Sequence, residues 1–203
     1  MAQMKRQQIV TPKGVAVYPH LNTPDTKFTP EGEYKVNLRL TAEEAAPLIA
    51  ELTAALDEYH AAQIKLDPKV ARFNKALPLD EEMDDQGNLT GNLIFKFKQK
   101  ASVTTRTGDT IEFKVALFDA GVKPTTETVG GGSIIKVAAS VFPYAMPTTK
   151  TVGLSLRPTS VQILQLKQWE GSASSLFDKE DGYEAPQETA GAAFTAGDDA
   201  SDY

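Results

Sequence analysis

Residues 33–40, Glu-Tyr-Lys-Val-Asn-Leu-Arg-Leu, alternate apolar and polar without a break. A period of two suits a strand with one face buried and one in water, and no helix can sort these residues that way. Tyr34, Val36, Leu38 and Leu40 take the inner face, and Glu33, Lys35, Asn37 and Arg39 the outer. The same period returns after residue 92. Phe95, Phe97, Ala101 and Val103 are predicted inward on one long strand, with Ile94, Lys96, Lys98, Lys100 and Ser102 on its other face. Thr107-Gly108-Asp109 marks a hairpin turn. Its return strand points Ile111, Phe113, Val115 and Leu117 inward. A strand after Gly130-Gly131-Gly132 does the same with Ile135, Val137, Ala139 and Val141. Shorter strands are expected at 14–18, 151–157 and 160–167.

Between the early and late strands the period lengthens. Leu48, Leu52, Leu56 and Tyr59 form a helical stripe over 47–64. Thr41 and Glu44 have capping-box spacing, but Pro47 would then fall inside the helix, so the expected start is Pro47 itself. Loops are expected at 19–32 and 65–92, where prolines, glycines and the acidic run Asp80–Asp85 gather. Six or seven strands around one main helix predict a mainly β fold, a small antiparallel barrel with an inserted helix.

The net charge of −6 conceals three unequal parts. Residues 171–203 hold one base and eight acids, and residues 41–85 hold four bases and eleven acids. The remaining stretches, 1–40 and 86–170, carry 16 bases against 8 acids. The last segment is rich in Gly, Ala, Ser, Thr and acids and poor in large apolar residues. It cannot offset its ordering entropy by burial and reads as a disordered tail. The chain has no Cys, which excludes disulfides, thiolate nucleophiles and thiolate metal sites. Its two His have no partner at a metal-ligand spacing, and no metal or other cofactor is expected. No apolar run reaches about 18 residues, so no membrane span is expected, and the basic N-terminus lacks a signal-peptide core. A cytoplasmic protein is the expectation.

Lys96, Lys98 and Lys100 share one strand face at steps of about 6.5–7 Å, near the phosphate spacing of an extended nucleic-acid strand. By the same alternation Lys35, Arg39, Lys114 and Lys136 also point outward. Phe118, Phe142 and Tyr144 are interleaved at outward or loop positions. Cations for a backbone and flat rings for bases are what a single-strand binder needs. Outward lysines also serve merely to keep a strand soluble and protect an edge. The acids at 80–85 lack the spacing and glycine of a calcium loop and read as a solvated loop. Gly130–Gly132 opens a strand rather than a helix, so it is no phosphate-cradling loop.

These patterns together resemble the single-stranded DNA-binding proteins of T-seven-like and related tailed phages. The resemblance rests on Gly32-Glu33-Tyr34-Lys35-Val36-Asn37-Leu38, Phe95-Lys96-Phe97-Lys98 and Val129-Gly130-Gly131-Gly132-Ser133. It continues through Lys136-Val137, Pro143-Tyr144, the strand Val152–Leu166 with Val161-Gln162, and the final Asp202-Tyr203. It implies an OB-fold over 1–170, with a helical insert at about 41–85, and a disordered acidic tail over 171–203. It further implies that Tyr144 stacks a base and that Arg72 and Arg106 meet phosphates. Where the family has a second aromatic just after Pro-Tyr, this chain has Met146. Where it has a base before the Tyr-Lys-Val strand, this chain has Glu31.

The expected function is non-enzymatic, sequence-nonspecific binding of single-stranded DNA in phage replication, recombination and repair. Lys35, Arg39, Arg72, Lys96, Lys98, Lys100, Arg106 and Lys136 would hold phosphates, and Phe142 and Tyr144 would stack bases. The tail, through Asp198, Asp199, Asp202 and Tyr203, would compete with DNA and recruit phage DNA polymerase and helicase-primase. The resemblance implies a homodimer as well. The competing expectation is a structural β-protein of a phage tail or capsid, without nucleic-acid binding.

Overall fold

The structure is a computed structural model, and it describes residues 7–27 and 29–168. The expected tail, with Asp198, Asp199, Asp202 and Tyr203, lies outside the described residues. Strands β1 (Gln8–Val10), β2 (Gly14–Asp25) and β3 (Glu33–Thr41) come first, followed by helix α1 (Ala42–Leu66) and a 3₁₀ turn at Pro68–Arg72. Next come β4 (Asn74–Ala76), β5 (Leu79–Met83), β6 (Leu89–Lys100), β7 (Ser102–Thr104), β8 (Thr110–Glu112) and β9 (Ala116–Phe118). The long strands β10 (Ile134–Met146) and β11 (Thr151–Gln165) end the described chain.

Five strands close a barrel. β10 pairs with β2, β2 with β3 and β3 with β6; β6 touches β11, and β11 returns to β10. All these pairings are antiparallel except β6–β11, which is parallel and rests on the single pair Phe97–Leu156. This is the strand order of an OB-fold, the helix here joining the second barrel strand to the third. The alternation read from residues 33–40 holds throughout: Tyr34, Val36, Leu38 and Leu40 are buried. Phe95, Phe97, Ile135, Val137, Ala139, Val141, Val152, Leu154 and Leu156 complete the inner wall.

Helix α1 packs against β3, β6 and β11 through Leu48, Leu52 and Leu56. It starts five residues before the expected Pro47. Thr41 caps it, accepting from the Glu44 N–H, while the Glu44 carboxylate accepts from the Thr41 N–H. This reciprocal pair satisfies two otherwise orphaned donors. Pro47 leaves only the Glu43 carbonyl without its helical donor, and both residues are exposed, so water can serve instead. At the other end His60 is buried and its Nε2–H donates to the Val70 carbonyl at 2.9 Å, tying the helix to the 3₁₀ turn.

Four further expectations are corrected. β2 runs on through the segment 19–32, expected to be a loop, as far as Asp25. It accommodates Pro19 and Pro24 by register shifts on either side of His20. Residues 65–92 are not long loops: they hold the 3₁₀ turn, β4 and β5, and the acidic run Asp80–Asp85 begins on β5, paired with β6. The long strand after residue 92 stops at Lys100. Ala101 accepts from the Phe113 N–H, and β7 and β8 form a separate hairpin. Val103 and Ile111, expected inward, are therefore 40% and 48% exposed. Finally, 151–157 and 160–167 form the one strand β11, in which a register shift opposite Ala138 and Ala139 absorbs Pro158.

Candidate nucleic-acid interface

OB-folds bind oligonucleotides across their second and third barrel strands and through the loops joining strands one to two and four to five. Here those strands are β3 and β6, and the second of those loops is the turn at 147–150. The register sets Lys35 opposite Lys98, Asn37 opposite Lys96 and Glu33 opposite Lys100. Two lysines directly across a strand pair repel one another. The repulsion is relieved on one side, where Lys35 pairs with Asp25 at the end of β2.

Acids answer most of the other cations on this wall. Lys96 pairs with Asp80 and Arg39 with Glu82, both on β5. The Arg39 Nε–H donates to Glu82 Oε1 at 2.6 Å. The same carboxylate accepts from Asn92 Nδ2 at 2.8 Å and Thr90 Oγ1 at 2.9 Å. The Asn92 hydrogen bond, then those of Thr90 and Arg39, hold Glu82 below its ordinary value. Asp25 is likewise lowered, chiefly by its hydrogen bond from Lys35. Among the described residues, Lys98 and Lys100 form no ion pair.

The same outer face continues across the parallel contact onto β11 and β10. Phe97 beside Leu156 brings Arg157 next to the lysine row of β6. The Arg157 guanidinium lies 3.7 Å from the Phe142 ring centroid, a cation–π stack. Tyr144 sits opposite Gly153, with its ring lying over the glycine. A Cβ there would lie 2.5 Å from the Tyr144 hydroxyl oxygen and 2.6 Å from Cζ, so the ring occupies space that only glycine leaves. Gly153 also pairs with Ala76 of β4, and Thr151 with Asn74, which draws the 3₁₀ turn to this end of the barrel. A cleft of about 700 Å³ opens there, lined by Asp67, Lys69, Arg72, Phe73, Pro147 and Lys150.

The structure thus gathers Lys35, Arg39, Lys96 and Lys98 on one wall, and Arg72, Phe142 and Tyr144 around the end of the β10–β11 hairpin. Lys100 ends the wall. Two expected residues lie elsewhere. Arg106 sits at the tip of the β7–β8 hairpin, in the turn closed by Gly108 (φ 92°). Lys136 is eight residues from Tyr144 along β10, opposite Gln162, in a shallow cleft with Val10, Phe118 and Val122. Sequence reading missed Arg157, Lys69 and Lys150. Arg157 was accessible to it, since buried Val152, Leu154 and Leu156 put it outward by simple alternation. Lys69 and Lys150 were not, because only the β4–β11 pairing brings their two turns together.

A family model described as "Single-stranded DNA-binding protein, Bacteriophage T7" matches residues 13–166, the whole barrel and its helix. The chain belongs to this family. It is 29% identical over 188 residues to the single-stranded DNA-binding protein of Enterobacteria phage T3, covering 84% of this chain and 81% of that protein. It is 30% identical over 168 residues to that of Escherichia phage T7, covering 77% and 72%. The crystal structure of gp2.5, a single-stranded DNA-binding protein encoded by bacteriophage T7, superposes with a TM-score of 0.66 at 25% identity. It covers 90% of this chain and all of the other. The OB-fold expected from the resemblance is the fold found. No helix among the described residues is long and apolar enough to cross a membrane.

Proposed function

We propose that this chain is a non-enzymatic, sequence-nonspecific single-stranded DNA-binding protein acting in phage DNA replication, recombination and repair in the host cytoplasm. The observation that carries the reading is family membership over residues 13–166, on a barrel whose outer wall combines a cation row with two aromatic rings. Lys98, Arg72 and Lys150 meet phosphates first, and Lys35, Arg39 and Lys96 do so after exchanging their carboxylate partners. Tyr144 offers a flat face to a base, and Phe142 does so in exchange for its Arg157 stack; every base accepts such a face, so sequence preference is weak. Lys100, Arg106 and Lys136 extend the positive field. The acidic segment 171–203 competes with DNA for the cations, and its Asp198, Asp199, Asp202 and Tyr203 recruit phage DNA polymerase and helicase-primase. A homodimer is part of the proposal.

Titration of labelled oligo-dT across a salt series tests this, with the full chain and a chain ending at residue 170. Each phosphate neutralised on a single strand contributes about −0.7 to the log–log slope, so three or four contacts give roughly −2 to −3. Removing the acidic segment tightens binding at low salt. A slope near zero, or no binding by either chain at low salt, overturns the reading. Magnesium-dependent degradation of the oligonucleotide overturns its non-enzymatic part.

A further inference from the structure

Tyr18 is the most conspicuous residue that the interface above leaves unused. It lies inside β2, yet its φ is +49°, a left-handed conformation that is an outlier for a bulky side chain. It precedes Pro19, which restricts it further. The β2–β3 register shifts between Val17 and His20, so Tyr18 sits on a bulge. Bulges re-aim a side chain and collect next to functional sites. The result here is a ring 76% exposed to solvent, which contributes little to the core. Backbone strain that returns no packing invites a functional explanation.

The surroundings say what the ring is aimed at. Tyr18, Pro19 and His20 edge an open cleft of about 770 Å³, completed by Val15, Val17, Arg39 and the backbone of Gly130–Gly132. Arg39 is the same residue that faces the β3–β6 wall, and His20 stands opposite Lys35. The cleft therefore adjoins the cation row on its β2 side, away from Tyr144. Its lining holds a flat exposed ring, an imidazole and Arg39, whose guanidinium reaches across β6 to Glu82 in the free protein. This is the chemistry of one nucleotide: a ring for the base and, once Glu82 gives it up, a guanidinium for the phosphate.

We propose that Tyr18 is a second base-stacking residue, holding a nucleotide of a single strand in the cleft between the β2 bulge and the Gly130–Gly132 loop, with Arg39 on its phosphate. The proposal rests on the DNA-binding reading and assigns it a further contact. Binding of oligo-dT by the full chain is compared for wild type, Y18F, Y18A, Y18G and Y144A. Stacking needs the ring and not the hydroxyl, so Y18F binds as wild type and Y18A binds about tenfold more weakly. The salt slope is unchanged, because no charge is lost. Y18G separates function from folding. Glycine adopts positive φ freely, so this variant melts higher than Y18A while binding no better. A 5-iodouracil oligonucleotide crosslinks to Tyr18, read by mass spectrometry.

Unchanged affinity in Y18A, with Y144A weakened, overturns the proposal and leaves the DNA-binding reading intact. No binding by wild type removes both. Lost self-association in Y18A with unchanged DNA affinity assigns the ring to a contact between copies and also overturns the proposal.

Discussion

The β3–β6 wall and the end of the β10–β11 hairpin both carry cations, but the two regions hold them differently. On the wall Lys35, Arg39 and Lys96 each face a carboxylate, from Asp25, Glu82 and Asp80. Around the hairpin end Lys69, Arg72 and Lys150 form no ion pair among the described residues. The one acid lining their cleft, Asp67, accepts from the Lys69 backbone N–H through one oxygen and forms no ion pair with these cations. A phosphate arriving at Lys35, Arg39 or Lys96 must displace a carboxylate, which cancels most of the Coulomb gain and leaves Lys98 and Lys100 as the wall's unpaired cations among the described residues. One arriving at the hairpin end displaces only water and counterions. Affinity should thus concentrate at the hairpin end, while the wall guides the strand with a charge that is largely neutralised in the free protein.

The largest effect expected is at Tyr144. A base stacked on an aromatic ring is worth about 1–3 kcal/mol, so Y144A should weaken oligo-dT binding by roughly five- to a hundredfold. G153A reaches the same ring from below. A Cβ 2.5 Å from the hydroxyl oxygen forces the ring away. The atoms met are the far end of a partly exposed side chain, which can swing aside, so little stability is lost while the stack is lost with the ring's place. A G153A protein that binds normally, measured by anisotropy alongside its thermal unfolding, would show that the ring's place over Gly153 is irrelevant.

Both regions were partly legible in the sequence, for different reasons. The wall follows from strict alternation at 33–40 and 94–100, because a period of two fixes which face a lysine takes. What alternation cannot report is the neighbour. Asp80 and Glu82 read as acids of a loop, since Pro78 and Gly87 flank them, and only the β5–β6 pairing sets them beside Lys96 and Arg39. The hairpin end shows the same limit. Tyr144 stands among the interleaved aromatics of the sequence and Arg72 follows from the family resemblance, whereas Lys150 needs the parallel β4–β11 contact. The helix start was missed because one unfavourable residue, Pro47, was weighed above the Thr41–Glu44 capping box.

Charge variants sharpen the comparison at intermediate magnitude. R72A should lower the log–log salt slope by about 0.7, the full value of one single-strand phosphate contact. K96A should lower it by less, because Asp80 already matches its charge. D80N should do the opposite and tighten binding, by at most about fivefold if the exposed pair is worth roughly 0.2–1 kcal/mol. Equal slopes for R72A and K96A, with D80N neutral, would erase the distinction between the two regions.

The smallest effect separates stability from binding on the wall alone. Glu82 is held below its ordinary value of 4.5 by the hydrogen bonds of Asn92, Thr90 and Arg39. A carboxylate lowered in the folded state stabilises fully above its unfolded value and loses that contribution as pH falls through the folded one. Wild type should therefore lose stability as pH drops below about 4.5. E82Q should be less stable than wild type at neutral pH, by about 1–3 °C in Tm, and should converge on it in acid. DNA affinity should move the other way. Protonating Glu82 frees Arg39, so wild type gains affinity toward E82Q as pH falls, within the range where both stay folded. Two readouts on one carboxylate, converging in acid from opposite sides, are the signature of a wall whose cations are masked by its own acids. A constant gap between wild type and E82Q in both readouts would mean that the Arg39–Glu82 pair is structural and that DNA never displaces it.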